Sequence, residues 1–333
     1  MTSLTRRRFL AVSFGSLFLT AKKPTSKIMT IDGPISSNQL GTSLIHEHIL
    51  VDFIGADRIN FNRWDKKVVA QKLLPYLLQA KQAGVISFFD CTPNFLGRDV
   101  LLLKMLASKS GLQIITNTGY YGAGKNKYLP PWAFTETAEQ LSDRWIDEFE
   151  NGIQGSFVRP GFIKIGVDSD QPLSELHQKL VKAAAITHVK TGLVICSHTG
   201  KAKTAFEEIE ILQKTGVAPS AFIWVHAQAE KDKSFHSRAA KLGTWVSLDG
   251  IGWGDFDNYA DSITRLKAEG LLHRVLISHD AGWYKPAEPD AAITGYTNIF
   301  RELLPRLEQK GFSKKDIDQL LIKNPAEAMS IRS

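Results

Sequence analysis

Residues 41–50 read GTSLIHEHIL. The apolar run before the histidines predicts a short strand. Side chains two apart on a strand point to the same face, so His46 and His48 project together and can share one metal ion. Glu47, between them, faces the other way and reads as a structural hydrogen-bonding group behind the strand. The pair is half a site.

Runs of the same kind recur along the chain. Strands are predicted at 44–49, 85–90, 114–119, 161–165, 193–198, 222–226, 244–248 and 275–279, each rich in β-branched or aromatic residues. Helix-length segments lie between them, at 65–83, 99–108, 136–149, 173–190, 201–214, 231–241 and 258–267. Closing helices are predicted at 299–310 and 316–323. In the first segment Val68, Val69, Leu73, Leu74, Leu77 and Leu78 recur at helical spacing, Pro75 predicts a kink, and Gly84 reads as the C-cap. Strands alternating with helices in this way predict an α/β fold of the (β/α)8 TIM-barrel type, as one domain over residues 28–333. Barrels of this kind carry their chemistry at the C-terminal ends of the strands.

Composition narrows the function classes. The chain is 43% hydrophobic and 23% charged, with Gly and Pro scattered, as in an ordinary globular protein. Its formal charge is +7, but three of the 41 basic residues are Arg6, Arg7 and Arg8; the remaining 38 face 34 acidic ones. A net +4 spread over helices is a solvated surface, not a nucleic-acid footprint. The two cysteines, Cys91 and Cys196, fall on the second and fifth predicted strands, which are not neighbours, and read as buried free thiols.

The N-terminus runs Thr5-Arg6-Arg7-Arg8-Phe9-Leu10 into an apolar stretch that ends near Ala21. A basic start followed by an apolar core too short to span a membrane describes a signal peptide over residues 1–21. The adjacent arginines before Phe-Leu resemble the twin-arginine signal. The expectation is a periplasmic or otherwise exported protein, carried folded by the twin-arginine machinery, with no stable membrane span after processing.

Reactive residues collect at the predicted strand ends. Lys164 lies near the end of strand four, His198 ends strand five, His226 ends strand six, and Asp280 follows strand eight. Taken singly, a strand-end histidine is usually structural, an aspartate is often a helix cap, and a lysine can snorkel. Placed together with His46 and His48 on one rim, they form a nitrogen and oxygen donor set suited to zinc, manganese, iron or cobalt. His279 neighbours Asp280 and points the opposite way, so it reads as structural. Asp249, at the end of strand seven, reads as a loop-bonding residue that could touch substrate.

This set resembles the amidohydrolase superfamily. The local sequences Gly41–His48, Gly97-Arg98-Asp99, Thr118-Gly119-Tyr120-Tyr121, Ser197-His198-Thr199-Gly200 and Asn324-Pro325-Ala326 resemble its phosphotriesterase-related family, over residues 41–326. The resemblance implies a binuclear centre of two divalent ions, zinc first, with manganese, cobalt or iron as alternatives. His46, His48 and Asp280 would hold the more buried ion, and His198 and His226 the more exposed one. Lys164 would carry a carbamate from CO2 that bridges them; such chemistry needs an uncharged amine, which burial favours. A bridging hydroxide would be the nucleophile, and Asp280 would accept its proton. Tyr121 would sit over the metals as a substrate-pocket residue. Relatives are commonly dimers, which implies a possible homodimer.

Hydrolysis of a small molecule follows from such a centre. A tyrosine at 121 is similar to the lactonase branch, so a lactone or carboxylic ester is the expected substrate. Residues 281–295, with Trp283 and Tyr284, and Trp253 after strand seven predict aromatic pocket walls. The alternatives are an aryl-dialkylphosphatase and a catalytically silent metal-binding homologue. Relatives of the second kind usually lose one or more ligands. Ala227-Gln228 departs from a family pattern of a small residue and an aspartate, so no specificity role is carried over there.

Overall fold

A computed structural model describes residues 26–169 and 172–331. The expected signal segment, residues 1–21, lies outside the described residues. The strands are β1 (Lys27–Thr30), β2 (Gly33–Ser36), β3 (Ser43–Glu47), β4 (Ser87–Asp90), β5 (Gln113–Ile115), β6 (Asn117–Thr118), β7 (Phe162–Gly166), β8 (Ile195–His198), β9 (Phe222–Val225), β10 (Trp245–Leu248) and β11 (Val275–Ile277). The helices between and after them are α1 (Lys66–Gln82), α2 (Val100–Ser110), α3 (Trp132–Thr135), α4 (Ala138–Asn151), α5 (Glu175–Thr191), α6 (Ala202–Lys214), α7 (Ser234–Lys241), α8 (Phe256–Ala268), α9 (Leu304–Gln309), α10 (Lys314–Asp318) and α11 (Asn324–Ala328).

Each predicted strand has an observed counterpart. The third is split at Thr116 into β5 and β6. The β1–β2 hairpin was not expected. It pairs antiparallel from Lys27 opposite Ser36 to Thr30 opposite Gly33. Both strands are only four residues long, and β2 carries Gly33 and Pro34, so they give little periodicity to read.

Strands β6 to β11 form one parallel six-stranded sheet in sequence order, and β3, β4 and β5 form a parallel three-stranded one. A single residue separates β5 from β6. Beyond β11, the Asp280 amide donates to His46 O at 3.0 Å, and the His48 amide to Ala281 O at 2.8 Å. This α/β arrangement is consistent with a TIM barrel. It also sets the C-terminal ends of β3 and β11 side by side.

Both faces of the strands are buried, which is why they read as near-continuous apolar runs. Ile45, Phe89, Ile115, Phe162, Ile223 and Leu276 belong to one apolar cluster. Leu44, Phe88, Ile114, Ile163, Trp224 and Ile277 belong to another, together with the apolar faces of the helices. Neighbouring residues on a strand thus fall in opposite layers.

Local sequence sets the helix starts. Asp65 caps α1 by accepting from the Lys67 and Val68 amides, and Asp99 caps α2 through Leu101 and Leu102; each cap satisfies donors that the helix leaves free. Asn324, in the expected Asn-Pro-Ala segment, donates to Leu272 O and Val275 O and ties α11 to β11. No helix of the described residues is long and apolar enough to cross a membrane.

Candidate metal centre

Five strands and the residues just beyond them deliver the six predicted donors to one cavity of about 60 Å³. His46, His48, Lys164, His198, His226 and Asp280 all line it, with Tyr121 beside them. Lys164 comes from the middle of β7 and is 1% exposed. Its Nζ lies 3.3 Å from His46 Nε2. Asp280 Oδ1 lies 3.1 Å from His48 Nε2 and 3.7 Å from His46 Nε2. The His46 and His226 rings are 5.1 Å apart, and those of His198 and His226 are 4.5 Å apart. His46 and His48 are buried, whereas His198 and His226 are partly exposed.

Two of these residues sit in strained backbone. His226 does not end strand six in extended form: β9 stops at Val225 and His226 has φ 60°. Asp280 has φ 52°. Non-glycine residues in this left-handed region cost about 1–3 kcal/mol and persist where surrounding bonds hold them. The His226 amide donates to Asp249, and the Asp280 carbonyl accepts from Trp253 Nε1 at 2.9 Å.

Electrostatics set the protonation states. Burial, reinforced by the Lys164 charge, pushes the His46 imidazole down to about 4, against the pull of Asp249 and Asp280. Burial, then His226 and Lys164, holds His198 well below the usual histidine range. Both rings are therefore neutral near pH 7 and offer a lone pair. Burial opposes ionisation of Asp280, but the hydrogen bond from His48 and the nearby His46 hold its carboxyl below the usual range.

The donors fit a divalent metal ion. His46, His48 and Asp280 place one donor atom each within 4.8 Å of one another; His46, His226 and Asp249 do so too, but there the carboxylate is engaged by the two Nδ1 atoms. Imidazoles and a carboxylate form the donor chemistry that zinc, manganese, cobalt or iron accepts, and the Lys164 amine lies buried beside them.

The side chains behind the donors were the least legible in sequence. Asp249 bonds the loop after β9, as expected, through the His226 amide and Gln228 Nε2, but it does not line the cavity. It is fully buried at the end of β10 and contacts Nδ1 of both His46 and His226. His48 Nδ1 lies 2.8 Å from Thr92 Oγ1, a partner the sequence did not suggest. Asp249 carried one readable signal, its position at the same rim as the other donors. Glu47 and His279 behave as expected. The Glu47 carboxylate accepts from Ser278 Oγ, from the His279 amide and Nδ1, and from the Ala281 amide.

Aromatic rings wall the cavity. Tyr121 packs edge-on to His198 with centroids 5.0 Å apart, and burial pushes its phenol well above the usual range. Trp283 packs against His48 and against Phe53 and Trp253. Tyr284 is not a pocket wall; it is 6% exposed and belongs to the apolar core. Cys91 and Cys196 are free and buried, as expected.

The sequence model described as the phosphotriesterase family matches residues 26–329. Among curated proteins, a phosphotriesterase homology protein of Escherichia coli (strain K12) is 27% identical over 299 residues, covering 88% of this chain and 99% of the relative. An aryldialkylphosphatase of Saccharolobus solfataricus is 27% identical over 311 residues, covering 89% and 97%. An N-acetyltaurine hydrolase of Xenopus tropicalis is 24% identical over 351 residues, covering 92% and 99%.

Proposed function

This chain belongs to the phosphotriesterase family, and from that premise we propose that it is a metal-dependent hydrolase of lactones or carboxylic esters, built as one closed (β/α)8 barrel over residues 28–333. The observation that carries the reading is the convergence of His46, His48, Lys164, His198, His226 and Asp280 on one cavity. His46, His48 and Asp280 would hold one divalent ion, and His198 and His226 the second, with zinc as the first candidate. Lys164, as its carbamate, would reach both. Such ions supply Lewis acidity and an activated water near neutral pH.

The remaining steps fall to the chain's own residues. Asp280, held ionised by His48 and His46, accepts the proton released during attack. Tyr121, which packs against His198 and lines the cavity, would donate its hydroxyl to a substrate carbonyl. Trp283, Phe53, Val51, Leu96, Pro93 and Cys91 complete the lining and would exclude water from the reacting bond. Among the described residues, no lysine or arginine apart from Lys164 lines this cavity. That favours an uncharged substrate over one bearing a sulfonate, as N-acetyltaurine does. A phosphotriester is also uncharged, so aryl-dialkylphosphatase activity is the second reading, favoured by the Saccharolobus solfataricus relative.

The test is a hydrolysis panel of lactones, carboxylic esters, aryl phosphotriesters and N-acyl amides on the zinc and manganese forms, with metal content measured in parallel. Lactone or ester turnover with about two ions per chain supports the reading. Turnover of phosphotriesters alone reverses the order of the two. Lys164→Ala is expected to lose metal and turnover together while the fold persists. Absence of metal from the wild type, with folding untouched by Lys164→Ala and Asp280→Ala, would point to a binding protein instead. We also infer export by the twin-arginine machinery from residues 5–10. Replacing Arg6 and Arg7 by lysine is expected to keep the protein in the cytoplasm. Light scattering would test the homodimer.

A further inference from the structure

Asp249 touches no substrate-facing surface, yet it contacts one histidine from each half of the donor set. Its Oδ2 lies 3.1 Å from His46 Nδ1, and its Oδ1 lies 2.7 Å from His226 Nδ1. Three further donors fill the same carboxylate. Ser247 Oγ donates to Oδ2 at 2.7 Å, Gln228 Nε2 to Oδ1 at 3.2 Å, and the His226 amide to both oxygens at 3.2 Å. A carboxylate offers roughly four lone-pair directions. With these donors in place none is left for a metal, so Asp249 acts behind the ligands and not as one of them.

An ionised carboxylate can only accept, and a neutral imidazole carries a proton on one nitrogen alone. In the neutral form that each ring takes as a ligand, the contact therefore puts the proton on Nδ1 and leaves the lone pair on Nε2. His46 shows the consequence directly: its Nε2 faces Lys164 Nζ and Asp280 Oδ1 across the cavity. We propose that Asp249 is a positioning residue that fixes the tautomers of His46 and His226 together, and so couples the two metal positions through one buried carboxylate. The coupling rests on the binuclear reading above; the tautomer assignment does not. His48 differs, because its Nδ1 meets the Thr92 hydroxyl, which can either donate or accept.

Asp249→Asn separates the two histidines. Oδ1 receives the His226 ring, the His226 amide and Gln228, so the amide oxygen takes that side. The NH2 group then faces His46 and Ser247, whose hydroxyl can turn to accept. His46 is forced to accept through Nδ1 and to carry its proton on Nε2, where the lone pair had faced the cavity.

Nitrogen-15 NMR of the histidines in metal-free protein reads this without reference to activity. The wild type should show Nδ1–H at both His46 and His226, and the folded variant should show Nε2–H at His46 alone. Zinc titration should then give about two ions on the wild type and about one on the variant, the weakened position losing roughly 10–100-fold in affinity. Nε2–H at both rings of the wild type would overturn the proposal whether or not the variant folds. So would a folded variant with wild-type tautomers and both ions, or loss of both Nδ1 protons on metal addition, which would make Asp249 a ligand. If the wild type shows the Nδ1–H pair but binds no zinc, the metal reading fails while tautomer control by Asp249 stands.

Discussion

Glu47 sits between the two histidines that define the site and has a different task. Its Oε1 accepts from Ser278 Oγ, the His279 amide and His279 Nδ1, and its Oε2 from the Ala281 amide. His279 Nε2 in turn accepts from the Ile299 amide at 3.0 Å. This buried network clamps the segment that presents Asp280 beside β3. In Glu47→Gln the amide oxygen would keep the three donors on one side, and its NH2 would meet the Ala281 amide donor to donor. We expect a loss of about 1–3 kcal/mol in denaturant unfolding, with metal content retained in the folded protein. Loss of turnover at unchanged stability and metal content would give Glu47 a chemical role instead.

At the scale of elements, β8 and α6 are joined by a buried carboxyl. Glu208 of α6 accepts from Ser197 Oγ at 2.5 Å and Thr199 Oγ1 at 2.6 Å, the residues on either side of His198. Burial, only partly offset by these two hydroxyls, raises the Glu208 carboxyl to about 8. The folded protein thus binds a proton there that the unfolded chain releases near the ordinary glutamate pKa. Stability from this group is full below that ordinary value and falls as pH rises toward 8, by about 1.4 kcal/mol per unit. Glu208→Gln should flatten this slope and leave the variant more stable than the wild type above pH 8 in urea titrations. A slope unchanged by the substitution would count against the raised carboxyl.

The close approach of β6 to β7 constrains sequence in another way. Gly119 has φ 109°, and a Cβ there would collide with the Lys164 carbonyl. Gly119→Ala combines a left-handed backbone with a backbone clash, so it should cost more than about 1 kcal/mol and displace Lys164. The measurable result is a lower unfolding midpoint together with weaker metal retention. Gly282 has φ 99° and stands in the same relation to the His48 carbonyl.

Over the whole molecule, the two parallel sheets meet at Thr116. Arg98, whose side chain has no exposed surface, crosses this junction. It donates to Asn117 O and to both oxygens of Glu148, which also accepts from Thr118 Oγ1. The β4–α2 loop is thereby fixed to β6 and α4. Arg98→Met would leave a carboxylate and a carbonyl without their buried partner, at a cost on the order of 3 kcal/mol. Thermal unfolding of the metal-free protein would show it as a lower midpoint, since bound metal would add stability of its own.

How much of this was readable depended on range. The apolar runs and helical periodicities located the strands and most of the helices, because burial on both strand faces and one-sided burial of helices leave patterns along the chain. The convergence of His46, His48, Lys164, His198, His226 and Asp280 on one cavity was legible because parallel strands of an α/β fold bring their C-terminal ends to one side. The hairpin β1–β2, the left-handed backbone at His226 and Asp280, and the contacts of Thr92 and Asp249 were not. They depend on which atoms of distant segments come within about 3 Å, and a hydrogen-bond partner across strands leaves no periodic trace. Sequence alone thus determined the layered α/β architecture and the HxH pair with its distant companions. Only the tertiary structure decided which nitrogen of His46 faces the cavity, because that choice belongs to a buried carboxylate more than 200 positions away.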